Sequence, residues 1–178
     1  MMEKNPSSSH QKIWKWLYTS ALLVGIFSML FTLDLYEHTM IDFRILLSTA
    51  LLSALVGYII MNRHYKNLYN SGIFFAAMQS LLSFGFISCY LFLAINFYGS
   101  HNELRNYEFE IQEKSSAPGR KRHRNERTPI VRFDYFGFEK KLTFKYNETE
   151  KVNSSSQVVL QIKNGRLGYD VIESFYVK

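Results

Sequence analysis

Three stretches without a single charged side chain dominate what this chain can fold into. They are WLYTSALLVGIFSMLFTL (16–33), ILLSTALLSALVGYIIM (45–61) and IFFAAMQSLLSFGFISCYLFLAI (73–95), and no Asp, Glu, Lys or Arg occurs between Lys66 and Glu103. As a helix, the first rises about 27 Å, close to the roughly 30 Å of a bilayer's hydrocarbon layer. A helix on the surface of a soluble core keeps a polar face, and none of these runs has one. In lipid a helix satisfies its own backbone, so three transmembrane helices are the expected form. A cleaved signal peptide would explain Lys4, Lys12 and Lys15 ahead of the first run. However, the run is longer than a usual signal core, and TLDLYEH follows it in place of a small-residue cleavage site.

The polar remainder sets orientation. The arm before the first span holds Lys4, Lys12 and Lys15, and NRHYKNLYNS between the second and third holds Arg63 and Lys66 without an acid. DLYEHTMIDFR, between the first two, has three acids against Arg44, and NFYGSHNELRNYEFE after the third has three Glu against one Arg. Lys and Arg concentrate on the cytoplasmic side of membrane proteins, so the N-terminus is expected inside and the C-terminus outside. The formal net charge of +6 is therefore a local property of particular segments. Residues 1–12, rich in Ser and polar residues, are expected to form a disordered arm, followed by a transmembrane domain over 13–98.

Small and polar residues recur at helical spacing within the spans. Ala50 and Ala54, Ser53 and Gly57, and the group Ala76, Gln79, Ser80 and Ser83 each share a face. Such residues let helices approach closely and bond across the contact, either among the three spans or with a partner helix. Gln79 stands out, because an amide in lipid requires a partner. No ionisable residue lies mid-span, which argues against a proton or ion path.

After Gly99 the period changes to two. Tyr107, Phe109 and Ile111 alternate with Glu108, Glu110 and Gln112; the same pattern recurs around Val131–Tyr135, Leu142–Tyr146, Val158–Ile162 and Tyr169–Val177. Phe136-Gly137 and Asn164-Gly165 supply turn signals. The expectation is a small antiparallel all-β domain of about five strands over 99–178, with Asn147–Gln157 as a longer loop. Its last strand is a candidate edge for strand addition by a partner.

One loop is strongly basic. GRKRHRNER (119–127) falls in a polar connection expected to span 114–127, and Arg120, Lys121, Arg122, Arg124 and Arg127 are candidate polyanion contacts. It lacks the aromatic platforms of single-strand readers, so anionic lipid head groups or an acidic protein suit it better than nucleic acid. Catalytic signatures are missing: there is no HExxH, GxSxG, P-loop or GxGxxG, and the five His have no helical ligand spacing. The single cysteine, Cys89, sits within the third apolar run and reads as a packing residue. Asn147 and Asn153 begin N-glycosylation sequons, relevant only in a eukaryotic secretory setting.

In layout, and in the segments TPIVRFDYFGFEKKLTF and VVLQIKNGRLGYDVI, the chain resembles uncharacterised small bacterial membrane proteins that carry a short C-terminal β domain. That resemblance implies no activity, and no site residue is carried over from it. Catalytic, cofactor and metal sites are expected to be none. The expected role is non-enzymatic: the spans anchor an extracytoplasmic β domain at a bacterial inner membrane, where it meets another membrane or envelope protein. The alternative is binding of anionic lipid or another polyanion through the basic loop.

Overall fold

The computed structural model describes residues 9–101, 103–118 and 126–178. The chain divides into two compact units, one comprising residues up to Leu35 together with Phe43–Ala94, the other Tyr36–Asp42 together with Ile95–Lys178.

The first unit is helical. Its elements belong to α1 (Ser9–Glu37), α2 (Phe43–Tyr69) and α3 (Ile73–Tyr98), which are 29, 27 and 26 residues long. By length and composition all three are long and apolar enough to cross a membrane; each rises roughly 40 Å. α1 starts at Ser9, so Ser9–Lys12, expected in the disordered arm, are helical, while residues 1–8 of that arm lie outside the described residues. Extending a helix costs little once the apolar segment has nucleated it, and the ring of His10 lies 6.4 Å from that of Trp14 one turn on.

Close approach of the helices follows from their small residues. A Cβ added at Gly25 would collide with the backbone of Leu82 and Ser83, and one at Gly57 would meet the side chains of Ser80 and Phe84. The contacted part of α3, Leu81–Gly85, is a π-helical turn, a local widening of the backbone ladder. Large apolar side chains such as Trp16, Ile60 and Phe74 point outward and stay about 70% exposed, the reverse of a soluble helical bundle.

The second unit holds six strands: β1 (Leu104–Glu110), β2 (Glu113–Ala117), β3 (Thr128–Tyr135), β4 (Phe138–Thr143), β5 (Gln157–Asn164) and β6 (Asp170–Val177). They form two antiparallel three-stranded sheets, ordered β1-β5-β6 and β2-β3-β4. The extra strand over the expected five comes from one extended run that serves both sheets. It bends at Ile111-Gln112, where Ile111 N–H donates to Ser156 C=O and Gln112 N–H to Arg132 C=O. Lys114–Ala117, expected in the basic loop, instead pair with Thr128–Val131. The connection after β4 is also more ordered than a loop: a 3-10 turn, Tyr146–Glu148, leads into a short helix, Thr149–Ser154. Burial of Val152 in the core fixes that helix in place.

Alternation within the strands builds the core. Val131, Phe133 and Tyr135 of β3 meet Val158, Leu160 and Ile162 of β5 in one cluster. The β3–β4 turn has positive φ at both central residues, Phe136 (47°) and Gly137 (101°), the geometry that matches strand twist in two-residue hairpins. The β5–β6 connection is the short loop that Asn164-Gly165 announces.

Candidate functional site

β4 and β6 are edge strands of their respective sheets, and the chain treats the seam between them as a docking edge. Residues 38–41 lie in the connection between α1 and α2 and add onto β6. Thr39 forms an antiparallel bridge with Val171. Met40 N–H donates to Asp170 C=O at 2.7 Å, and Ile172 N–H donates to His38 C=O at 2.8 Å. Thr39, Met40 and Ile41 are all buried, so this short segment functions as a seventh strand over the first half of β6.

Lys140 closes the seam from the β4 side. Its register opposite Phe133 puts it on the core face, where it is only 5% exposed. Its Nζ donates to the carbonyls of Tyr36 (2.8 Å) and Thr39 (2.7 Å) and lies 4.6 Å from the centre of the Tyr36 ring. These acceptors include the Tyr36 carbonyl at the C-terminal end of α1, which also accepts from Thr39 N–H at 3.2 Å and lies at the negative end of the helix dipole. Burial lowers the Lys140 pKa to about 8, against the opposing attraction of Glu37. Nearby, the hydroxyl of Tyr135 donates to the Asp170 carboxylate; burial, and then that bond, push the phenol pKa upward.

A second clamp holds the β5–β6 loop. Asn96, fully buried, donates from Nδ2 to Tyr169 C=O at 2.9 Å and accepts at Oδ1 from the N–H groups of Leu167 (3.0 Å) and Tyr169 (3.4 Å). Both lone-pair directions and one amide proton are thereby used. The side chain takes the space that a Cβ at Gly165 would need.

The second half of the seam is open. A cleft of about 420 Å³ lies there, walled by Thr143, Phe144 and Lys145, with Asn147 and Glu148 of the 3-10 turn, on one side and by Ser174 and Phe175 on the other. The Phe144 and Phe175 rings meet edge to face with centroids 5.0 Å apart, which gives the cleft an apolar base.

The residues singled out by sequence fall elsewhere. Arg120, Lys121, Arg122 and Arg124 lie outside the described residues. Arg127 is described and exposed; its guanidinium donates to the hydroxyl (2.8 Å) and carbonyl (3.1 Å) of Ser116, joining β2 to the start of β3. The helix-packing candidates are brought together inside the helical unit. Ala50, Ala54, Gly57, Ala76, Ser80 and Ser83 are buried, and Ser53 is partly so. Gln79 donates to Tyr18 C=O at 2.9 Å, Ser80 to Ala54 C=O at 2.6 Å and Ser83 to Gln79 C=O at 2.6 Å. Gln79 thus has its partner within the chain. Cys89 is buried and directs its thiol at Leu46 C=O, 3.4 Å away. Asn147 and Asn153, of the two sequons, are exposed.

Lys140 and Asn96 are the site residues that sequence reasoning passed over, and each carried a signal. Lys140 occupies the core phase of the alternation Phe138, Lys140, Leu142, Phe144. Asn96 is the first strongly polar side chain after a long apolar run. Among the described residues, no three His, Cys, Asp or Glu side chains converge as metal ligands. The geometry offers a polypeptide-docking edge and a cleft with an apolar base. No protein-family model, curated protein or solved structure matches this chain.

Proposed function

We propose that this chain is an integral membrane protein that holds its β unit at the extracytoplasmic face of a bacterial inner membrane. There the β unit docks another membrane or envelope protein, without catalysing a reaction. The observation that carries this reading is the set of three helices whose large apolar side chains, Trp16, Ile60 and Phe74 among them, face outward. Water would make that surface an aggregation site; lipid makes it an anchor. The seam between β4 and β6, already used by residues 38–41, supplies the docking chemistry.

Two measurements test the reading. The full chain should remain in the membrane pellet through alkaline carbonate extraction and dissolve only in detergent. A reporter enzyme active only outside the cytoplasm, fused after Lys178, should be active. Release of the chain by carbonate overturns the anchor, and an inactive but well-expressed fusion reverses the orientation.

A further inference from the structure

Residues 38–41 cover the edge of β6 at Asp170–Ile172, and the cleft lies farther along the same strand, at Ser174 and Phe175. The backbone there is directed for pairing. Lys178 and Gln157 exchange both N–H···O=C bonds, so alternation turns the backbone groups of Tyr176 and Ser174 toward β5 and those of Val177 and Phe175 away from it. A register shift opposite Gln161/Ile162 reconciles this phase with the outward-facing groups of Asp170 and Ile172. β6 therefore presents one pairing edge in two halves, the first used by the chain itself.

The cleft wall carries both Lys145 and Glu148, but the Glu148 carboxylate is already engaged by the Lys145 backbone N–H at 3.0 Å. Arg132 is paired with Glu113 and Glu139, and Lys163 with Glu173. Among the described residues, Lys141 and Lys145, both exposed on or just beyond β4, have no such ion pair. At roughly 3.3 Å per residue, the open length of β6 from Glu173 to Val177 accommodates a segment of about five residues.

We propose that the open half of the β4–β6 seam binds one extended segment of a partner protein. The segment adds to β6 antiparallel, as residues 38–41 do, with a large apolar side chain over Phe144 and Phe175 and acidic residues beside Lys141 and Lys145. Main-chain hydrogen bonds supply the affinity, and the cleft and lysines select the sequence. This deepens the docking role proposed above and rests on it, but the test is independent of the side of the membrane on which the β unit lies.

The probe is a fluorescent heptapeptide alternating valine and glutamate with phenylalanine at its centre, titrated into the detergent-solubilised full chain. Two further peptides carry N-methyl groups on one or the other alternate set of amides. Saturable binding is expected, with one methylated set weakening it about tenfold or more and the other leaving it within about twofold. Filling the cleft by Ser174→Trp should weaken binding to the same degree. Because the Ser174 hydroxyl donates to Gln161, Thr143→Trp, at an exposed position, serves as the second variant. Lack of saturation overturns the proposal, as does equal tolerance of both methylated sets or indifference to both tryptophans. A chain that dimerises through the seam, and is made monomeric by either tryptophan, also overturns it, assigning the edge to a second copy. Failed carbonate retention with intact peptide binding would count against the anchor alone.

Discussion

The ammonium of Lys140 in β4 lies 2.7 Å from the carbonyl oxygen of Thr39, 101 residues earlier in the chain. That one bond, with its twin to Tyr36, makes the connection between two apolar helices part of the β unit. A short polar link between spans would otherwise be a solvated turn. Here it is an edge strand locked by a buried cation.

Replacing Lys140 by Met should therefore weaken more than one contact. It keeps the apolar stem but removes the ammonium from the Tyr36 and Thr39 carbonyls, which then keep only the N–H groups of Thr39 and Ile41, at a cost of about 1 kcal/mol. Hydrogen exchange at Met40 and Ile172, whose N–H groups bond across the same seam, should accelerate in the variant. Unchanged protection at both amides would show that the ammonium does not hold the segment.

The same lysine fixes a pH dependence. Burial lowers its folded pKa to about 8, whereas the unfolded value is near 10.4. Between these values the unfolded state binds more protons, so stability rises with pH through that window. The contribution is complete above the unfolded value and is lost as pH falls to about 8. A neutral amine still has two N–H donors for the two carbonyls. Chemical denaturation of the detergent-solubilised chain at pH 7.5 and 10 should reveal the rise in the wild type and its absence in Lys140→Met. Parallel behaviour of the two proteins would assign the effect elsewhere.

Asn96 offers a cleaner separation of hydrogen bonding from volume. Asn96→Leu nearly preserves size but removes the side-chain partner of Leu167 N–H, Tyr169 N–H and Tyr169 C=O, the last of which keeps Gly165 N–H, with an expected loss of about 2 kcal/mol. Limited proteolysis should then cut first within residues 165–169. Retained resistance there would mean that the hairpin holds its own loop.

Much of this architecture is legible from residue pattern, because its causes are local. Uninterrupted apolar runs mark α1, α2 and α3, and alternation marks the strands around Phe133 and Leu160. Phe136-Gly137 marks its turn through the glycine. The features that escape are those decided at long range. The bend at Ile111-Gln112 exists because Ser156, just ahead of β5, and Arg132, in β3 of the other sheet, accept the two amides, and nothing near Ile111 encodes that division. The role of residues 38–41 depends on β6, some 130 residues on. Lys140 stands in the core phase of its strand, but only the long-range approach of Tyr36 and Thr39 supplies the carbonyls that make an inward ammonium tolerable. The short helix over Thr149–Ser154 has a single buried apolar side chain, Val152, too little periodicity to distinguish it from a loop.

Within the helical unit, the three glycines at or near contacts should respond unequally to alanine. At Gly25 the obstruction is the backbone of Leu82 and Ser83, which cannot rotate away; at Gly57 it is the side chains of Ser80 and Phe84; at Gly72 there is open space. The expected order of destabilisation is Gly25→Ala, then Gly57→Ala, with Gly72→Ala nearly neutral. Overpacking typically costs about 1–3 kcal/mol. Unfolding by increasing SDS in mixed micelles measures it. A Gly25→Ala variant as stable as Gly72→Ala would show that α1 and the π-helical turn of α3 are not in contact.

The basic run supplies the last prediction, because charge and strand pairing respond differently to salt. Arg120, Lys121, Arg122 and Arg124 replaced together by Gln should leave affinity for the valine–glutamate–phenylalanine peptide within about twofold at 150 mM salt, because strand addition rests on main-chain hydrogen bonds. Lys141→Gln with Lys145→Gln should weaken the same peptide and flatten its salt dependence, since Lys145 lines the cleft and Lys141 stands two residues from its Thr143 wall on the same strand. Arg127→Ala belongs to neither group. Its guanidinium is already bonded to Ser116, so its loss should fray the loop end of the β2–β3 pair by less than about 1 kcal/mol without altering peptide affinity. If the fourfold variant lost peptide binding while the double variant kept it, the polyanion reading of the basic loop would displace the seam.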